Sequence, residues 1–383
     1  MDSIYLDNNA TTPLLPAVWE AMRPFFLTHP GNPASAHHAG RRARQALEEA
    51  RERTAALLDA HPDEVIFTSG ATEANNLALF GLAGSPPGQL ITTLIEHPSV
   101  VEPLRRLEEA GFTVDRLPVD AAGVVRAAAL PALLRPETRL VSVMLVNNET
   151  GAIQPVQELI HQVAGRLPQV AFHCDAVQAV GRMPVRFHEL GVTALTLSAH
   201  KFHGPKGVGA LLLRRGASLT PQLWGGHQQR GRRPGTEPVA LAVGLAAALE
   251  QWQQEHAPRW QKVQRLRARF WERLQEAAPL VLNGPATDGM PHTVNVSFPG
   301  CRAELLLMAL DLAGVCCSTG SACSSGSLLP SPVLQAMGVP EDVLHSAMRF
   351  SLSPLLSEEE VDEAARRITA AVARLRRQAL EPP

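Results

Sequence analysis

Short apolar runs alternate with longer amphipathic ones over most of the chain. The runs "EVIFTS" (64–69), "QLITTLIE" (89–96), "TVDRLPV" (113–119), "LVSVMLV" (140–146), "VAFHCD" (170–175), "ALTLSA" (194–199) and "VGALLLR" (208–214) read as strands. Between several of them lie helical stretches such as "ATEANNLALFGLA" (71–83) and "VQELIHQVAGRL" (156–167). Strand–helix alternation with continuous apolar strands predicts an α/β fold: a mostly parallel central sheet flanked by helices on both faces. Sheets of this kind carry their sites in the loops beyond the carboxyl ends of the strands.

The pattern changes after residue 236. A long helix-like run covers 237–275, and Pro258 is expected to break or kink it. Beyond it, "TVNVSF" (293–298) and "MRFSLS" (348–353) read as strands, and 302–313 and 357–380 as helices. The last of these opens on Ser357 with Glu360 three positions on, a capping-box signature. These mixed elements predict a smaller α+β domain, and a first helix near 14–27 is expected to pack with it. The predicted organisation is a large domain over 15–255 and a small one built from 1–14 and 256–383.

Composition narrows the class. The chain has 383 residues, of which 45% are hydrophobic, enough for a substantial core. A net charge of −2 gives no reason to expect nucleic acid or an anionic membrane surface as a partner. The arginine-rich stretch 40–53 alternates with glutamates and reads as a solvated helix face. The N-terminus lacks a basic segment followed by an apolar one, and no apolar run is long enough to span a bilayer, so a cytoplasmic protein is expected. The five cysteines (174, 301, 316, 317 and 323) contain no C-x-x-C pair. That argues against a disulfide framework or a structural metal site, and for a reducing compartment.

Several polar residues stand where the apolar strands end. Lys201, in "SAHKFHGPKGVGA", is either a surface lysine or a Schiff-base amine activated by desolvation and neighbouring cations, with Lys206 as a competing choice. In "FTSGATEANN", Gly70, Ala71 and Thr72 open a helix whose amides suit a phosphate; the alternative is an ordinary cap by Ser69 or Thr72. Asp175 in "HCDAVQAVG" either pairs with a cationic ring nitrogen or caps the next turn, and Gln178 follows one turn later. His97 in "IEHPSV" is either a stacking, proton-moving imidazole or an ordinary loop residue. Arg349 either grips a carboxylate ligand or pairs within the protein. A lysine amine, a carboxylate for a ring nitrogen, a phosphate cradle and a stacking histidine together are what pyridoxal phosphate requires.

The remaining motif is "STGSACSSGS" (318–327), which sets Cys323 among small polar residues. With "YLDNNATTP", "GNPASAHHAG", "VNNETGAIQP", "GGHQQRGRRPGTEPV" and the blocks above, it resembles, in order and nearly end to end, the cysteine desulfurases of the NifS/IscS type. These are class-V aminotransferase enzymes of pyridoxal-phosphate fold type I. The resemblance implies that Lys201 holds the cofactor covalently, Asp175 pairs with its ring nitrogen, Gln178 approaches its phenolic oxygen and His97 stacks on the ring. Ala71, Thr72, Ser198 and His200 are expected to bind the phosphate. Thr236 is expected to reach the phosphate of a neighbouring subunit, which implies a homodimer. Arg349, with Asn148 and Asn32, is expected to hold the carboxylate of L-cysteine.

Cys323 is then the expected sulfur acceptor. It would carry a persulfide to an acceptor protein such as an iron–sulfur scaffold, and its only expected metal contact is with a nascent cluster. Selenocysteine lyases and cysteine-sulfinate-cleaving relatives share the cofactor site and are the alternative reading. A non-catalytic sulfur carrier is disfavoured by the intact Lys201 block. Cys316 and Cys317 read as small buried hydrophobes rather than resolving thiols. Pro234 stands where a small residue is expected, and it restricts Arg233. The final residues "LRRQALEPP" do not resemble the scaffold-docking segment of the housekeeping branch, so that particular partner contact is not expected.

Overall fold

A computed structural model describes residues 3–319 and 330–380; Cys323 lies outside the described residues. Twelve strands run along it among these residues: β1 (Ile4–Tyr5), β2 (Val65–Thr68), β3 (Gln89–Thr93), β4 (Thr113–Leu117), β5 (Thr138–Ser142), β6 (Ala171–Asp175), β7 (Ala194–Ser198), β8 (Gly209–Leu213), β9 (Val281–Asn283), β10 (Thr293–Ser297), β11 (Val315–Cys316) and β12 (Ala347–Ser351). Seven of them form the central sheet in the order β2-β8-β7-β6-β5-β3-β4. Only β8 runs against its neighbours β2 and β7; the other pairings are parallel.

Both faces of this sheet are buried, which is why its strands read as unbroken apolar runs. Val65 and Phe67 of β2 join the largest core cluster, while Ile66 faces a second cluster with Leu211 and Leu213 of β8. The helix Ala71–Ala83 covers that second face, with Ala74, Leu77 and Ala78 buried in the same cluster. The strands β3, β5, β6 and β7 all end at the same edge, and the chain leaves each one carrying polar residues.

A second core gathers Ile4, Leu6, Phe270, Phe298, Phe350 and Ile368 around the three-stranded sheet β12-β10-β9 and the parallel pair β1-β11. The C-terminal helix Glu358–Leu380 packs into it. Its capping box is formed: Glu360 Oε2 accepts from the Ser357 amide at 2.7 Å, and Ser357 Oγ accepts from the Glu360 amide at 3.1 Å.

Two expectations are corrected. The first helix, Pro16–Leu27, packs on the large core rather than the small one: Val18 and Met22 belong to the largest cluster. Met22 lies so close to Gly244 that a Cβ there would sit 2.5 Å from its sulfur, so the missing side chain admits the contact. The long helix Val239–Leu274 also continues through Pro258 for 36 residues instead of breaking. The packing on both sides of the proline holds the two halves together: Leu245 and Leu249 enter the first core, Leu266 and Phe270 the second. Among the described residues, no helix is long and apolar enough to cross a membrane.

Candidate active site

The carboxyl ends of β2, β3, β5, β6 and β7 converge on a cavity of about 480 Å³. Ala71, Thr72, His97, Asn148, Asp175, Gln178, Ser198, His200 and Lys201 all line it. Asn32 and Thr236 do not; both are exposed on this chain. Arg349 sits just behind the cavity wall, 3% exposed, and donates to the Asn148 carbonyl at 3.2 Å.

Lys201 follows β7 in a single tight turn, Ala199–Lys201, which throws its side chain back over the strand end. Its Nζ donates to the carbonyls of Asn9 at 2.5 Å and Ala10 at 3.0 Å. Lys206, the competing lysine, also lines the cavity but is solvent-exposed. The surface-lysine reading therefore fits Lys206 and not Lys201.

Asp175 does both things its sequence position allowed. Oδ1 accepts from the Val177 amide at 3.0 Å and caps the turn, while Oδ2 accepts from Asn75 Nδ2 at 2.8 Å. Asn75 also donates to Ser99 Oγ at 2.8 Å, and Ser99 Oγ lies 2.8 Å from His97 Nδ1. A chain of polar contacts thus joins Asp175 to His97 and fixes both orientations. His97 caps the helix Pro98–Glu109, its Nδ1 accepting from the Ser99 amide at 3.1 Å. That bond requires Nδ1 to be unprotonated. Burial pushes the His97 pKa below its usual value, against the opposing pull of Asp175, so the ring is neutral at physiological pH.

The helix Ala71–Ala83 begins at Gly70, and among the described residues no side chain caps it. Neither Ser69 nor Thr72 plays the capping role, so the first-turn amides are left for another acceptor. Gly209 of β8 packs directly beneath: a Cβ there would lie 2.8 Å from the Gly70 carbonyl carbon. The glycine lets the strand support the cradle from below. Arg233, the residue restricted by Pro234, is tied to the same turn through Glu73 at 2.7 Å. His200 sits opposite, its Nδ1 3.1 Å from Thr11 Oγ1, and burial pushes it down to about 4.

Sequence reasoning missed the residues that hold this arrangement together. Asn9 accepts from Lys201 and Gln178 on its carbonyl, donates to Thr293 Oγ1 at 2.9 Å, and takes a bond from Arg182 on Oδ1 at 2.7 Å. Arg182 further donates to Gln178 Oε1, Asn8 O and Lys201 O, and contacts His292 Nε2. Asp7 pairs with Arg349 at 2.8 Å, yet Arg349 Nε is buried with no partner among the described residues. The internal-partner reading of Arg349 is thus met on Nη2, and Nε remains a donor without an acceptor. The signal for Asn9 and Asp7 was present in "YLDNNATT", a polar run beside a short apolar one. Arg182 carried no local signal at all.

The comparisons with known proteins agree on a family. The model of the aminotransferase class-V family matches residues 4–364. The chain is 45% identical over 363 residues to cysteine desulfurase IscS of Dictyoglomus turgidum, covering 94% of this chain and 92% of that one. A solved NifS-like protein superposes with a TM-score of 0.92 at 38% identity, covering 97% of this chain and 99% of its own. A structure described as SspA in complex with cysteine superposes at 0.82 with 34% identity, over 92% of this chain and 99% of its own.

Proposed function

Because this chain belongs to the class-V aminotransferase family, and within it to the cysteine desulfurases, we propose that its cavity takes sulfur from L-cysteine with pyridoxal 5′-phosphate. The products are L-alanine and a persulfide on Cys323. One observation carries this reading: a lysine amine, a buried carboxylate and an uncapped helix N-terminus open onto a single cavity. That donor set fits the cofactor, which needs a covalent anchor, an acid partner for its ring nitrogen and a seat for its phosphate.

When bound, pyridoxal phosphate supplies an electron sink that makes the α-proton of an amino acid removable. Lys201 would anchor it and would carry that proton. Asp175, oriented by Asn75 and the Val177 amide, would keep the ring nitrogen protonated. Ala71, Thr72, Ser198 and His200 hold the phosphate, with the macrodipole of Ala71–Ala83 adding to the attraction. Gln178 would donate to the phenolic oxygen, and the neutral His97 would stack on the ring and move protons. Arg349 holds the substrate carboxylate with help from Asn148, and its unpartnered Nε supports that role. Cys323 attacks the substrate sulfur as a thiolate; the S–C bond breaks and alanine leaves after reprotonation.

Thr236 and Asn32 serve a neighbouring subunit's cavity in a homodimer. Their exposure on this chain supports it, as do Trp224, 88% exposed, and the exposed Trp19, Phe26 and Leu27. In this reading the chain divides into a large body over 15–255 and a small one from 1–14 and 256–383, the second of which includes Cys323 in its sequence range. The persulfide passes to an acceptor protein such as an iron–sulfur scaffold, in the cytoplasm. The test is Lys201→Ala. We expect loss of the visible band of bound cofactor and loss of alanine formation from cysteine. A variant that still forms alanine would remove Lys201 from the reaction.

A further inference from the structure

β2 has the phosphate cradle at one end and an unexplained cluster at the other. His61 and Glu64 stand just before the strand, and His188 comes from the short helix Phe187–Leu190. Each offers one ligand atom, and the three atoms lie within 4.8 Å of one another. The catalytic reading uses none of them. We propose that His61, Glu64 and His188 form a binding site for a divalent transition-metal ion of the zinc type.

The chemistry of the donors favours that class. Two imidazoles and one carboxylate are a borderline nitrogen–oxygen set, suited to Zn²⁺ and poor for Mg²⁺ or Ca²⁺, which take oxygen ligands. A tetrahedral ion with bonds of about 2.0–2.2 Å spaces its donors roughly 3.3 Å apart. His188 Nε2 and Glu64 Oε2 are already 2.7 Å apart, so an ion replacing the shared proton needs only a small opening there. The His61 ring supplies the remaining closure. It is exposed, lies 4.9 Å from the His188 ring between centroids, and shares a capping box with Glu64 at the start of the Pro62–Glu64 turn. Three protein ligands leave a fourth position for water.

The surroundings are organised as a ligand's support must be. Glu64 is 1% exposed, and its carboxylate accepts from the His61 amide at 2.8 Å and the Arg215 amide at 2.9 Å. These backbone donors hold it in place whether or not His188 is protonated, and they favour the ionised form that a metal needs. The backbone brings the second histidine to the same point: the Phe187 amide donates to Leu58 O at 2.7 Å and the His188 amide to Asp59 O at 3.2 Å. Most of the nearby cations are offset, while Arg232 donates to the Asp63 carbonyl at 3.0 Å and feels the Glu64 carboxylate. Arg215 and Arg230 pair with Asp63 at 2.6 and 3.7 Å, and Arg186 pairs with Glu189 at 2.8 Å. A bound ion would staple residues 61–64 to 187–188.

The experiment uses metal-stripped holoenzyme carrying Cys323→Ser, so that the reactive thiol does not compete. Titration with Co²⁺ is expected to give visible d–d bands of a tetrahedral nitrogen–oxygen site without a sulfur charge-transfer band, saturating at one ion per chain. Zn²⁺ is expected to displace the cobalt and to raise the thermal midpoint. His61→Ala and His188→Ala, made separately in the same background, are expected to weaken binding at least about tenfold and to lose the thermal shift. His61 is exposed, so its variant tests the site without threatening the fold. Uptake equal to the parent in both variants, a sulfur charge-transfer band, or no uptake by the parent would each overturn the proposal and leave an ordinary His188–Glu64 hydrogen bond.

Discussion

Nη1 of Arg182 donates to Oε1 of Gln178 at 2.6 Å, and this bond decides which way the Gln178 amide faces. With its oxygen committed, Gln178 has only its amino group to offer; one hydrogen goes to Asn9 O at 3.0 Å. The residue therefore presents a donor to the cavity, as a phenolic oxygen requires. Arg182 has no carboxylate partner among the described residues, and burial pushes it down to about 9, still protonated at neutral pH. Its charge is spread over neutral acceptors from Asn8, Asn9, Gln178 and Lys201. Arg182→Gln is expected to lower stability by about 2–4 kcal/mol in urea unfolding, because buried acceptors lose charge-assisted bonds. It should also shift the pH titration of the bound cofactor's visible band, with Arg182→Lys intermediate. An unchanged titration in Arg182→Gln would reduce the arginine to a structural role.

Glu96 adjoins His97 but is held as a neutral acid. Burial pushes it up to about 8, and Asp175 adds to the rise against hydrogen bonds from the Met144 amide and Thr93. Its Oε1 accepts both of those bonds while Oε2 has no partner among the described residues. The sign of the pH effect follows. The folded value lies above the unfolded one, so the contribution is fully present below about 4.5 and is lost as pH rises toward about 8. The loss runs at about 1.4 kcal/mol per pH unit for one proton. Glu96→Gln keeps the shape and removes the titration. Its stability relative to the wild type should therefore climb between pH 5 and 8, measured by denaturant unfolding at several pH values. Parallel curves for the two proteins would show that Glu96 is ionised when folded.

The strand ends were legible in the sequence because a buried parallel sheet writes itself as apolar runs that stop abruptly. Lys201, Asp175 and His97 each stood at such a stop. What could not be read was contact between segments far apart in the chain. Arg182 looks like any arginine after a glycine, and only the fold lays the 7–12 segment across it. The first helix was assigned to the wrong core for the same reason: amphipathicity shows that Val18 and Met22 are buried, not what buries them. Pro258 was overweighted because a local rule was applied to a helix held by two separate cores.

Arg349 has two claims on it, and a pair of variants separates them. Asp7 takes Nη2 at 2.8 Å and the Asn148 carbonyl takes Nη1 at 3.2 Å. If the guanidinium also holds the substrate carboxylate, Arg349→Ala should raise the KM for cysteine by about ten- to a hundredfold, the worth of a charge-assisted contact. Asp7→Asn removes the internal ion pair but leaves the guanidinium, and should shift KM by less than about threefold while lowering the thermal midpoint. A KM in Arg349→Ala within about twofold of wild type would mean that the pairing with Asp7 is its whole purpose.

The last prediction concerns which thiol accepts sulfur. Cys317 packs against the second core, and its burial pushes the thiol well above the ordinary range. A thiol that does not ionise is a poor nucleophile. Cys317→Ala is therefore expected to leave cysteine turnover within about twofold. Cys323, flanked by serines, glycines and alanine, has no comparable barrier in its sequence. Cys323→Ser should keep the bound cofactor and its visible band, while sulfide and alanine production fall by about a hundredfold or more, the usual consequence of removing a nucleophile. Mass spectrometry of the wild type after a pulse of cysteine should find the added sulfur on the peptide that holds Cys323. Sulfur found instead on a peptide cut to hold only Cys316 and Cys317, or full turnover by Cys323→Ser, would move the acceptor role to that half-buried pair.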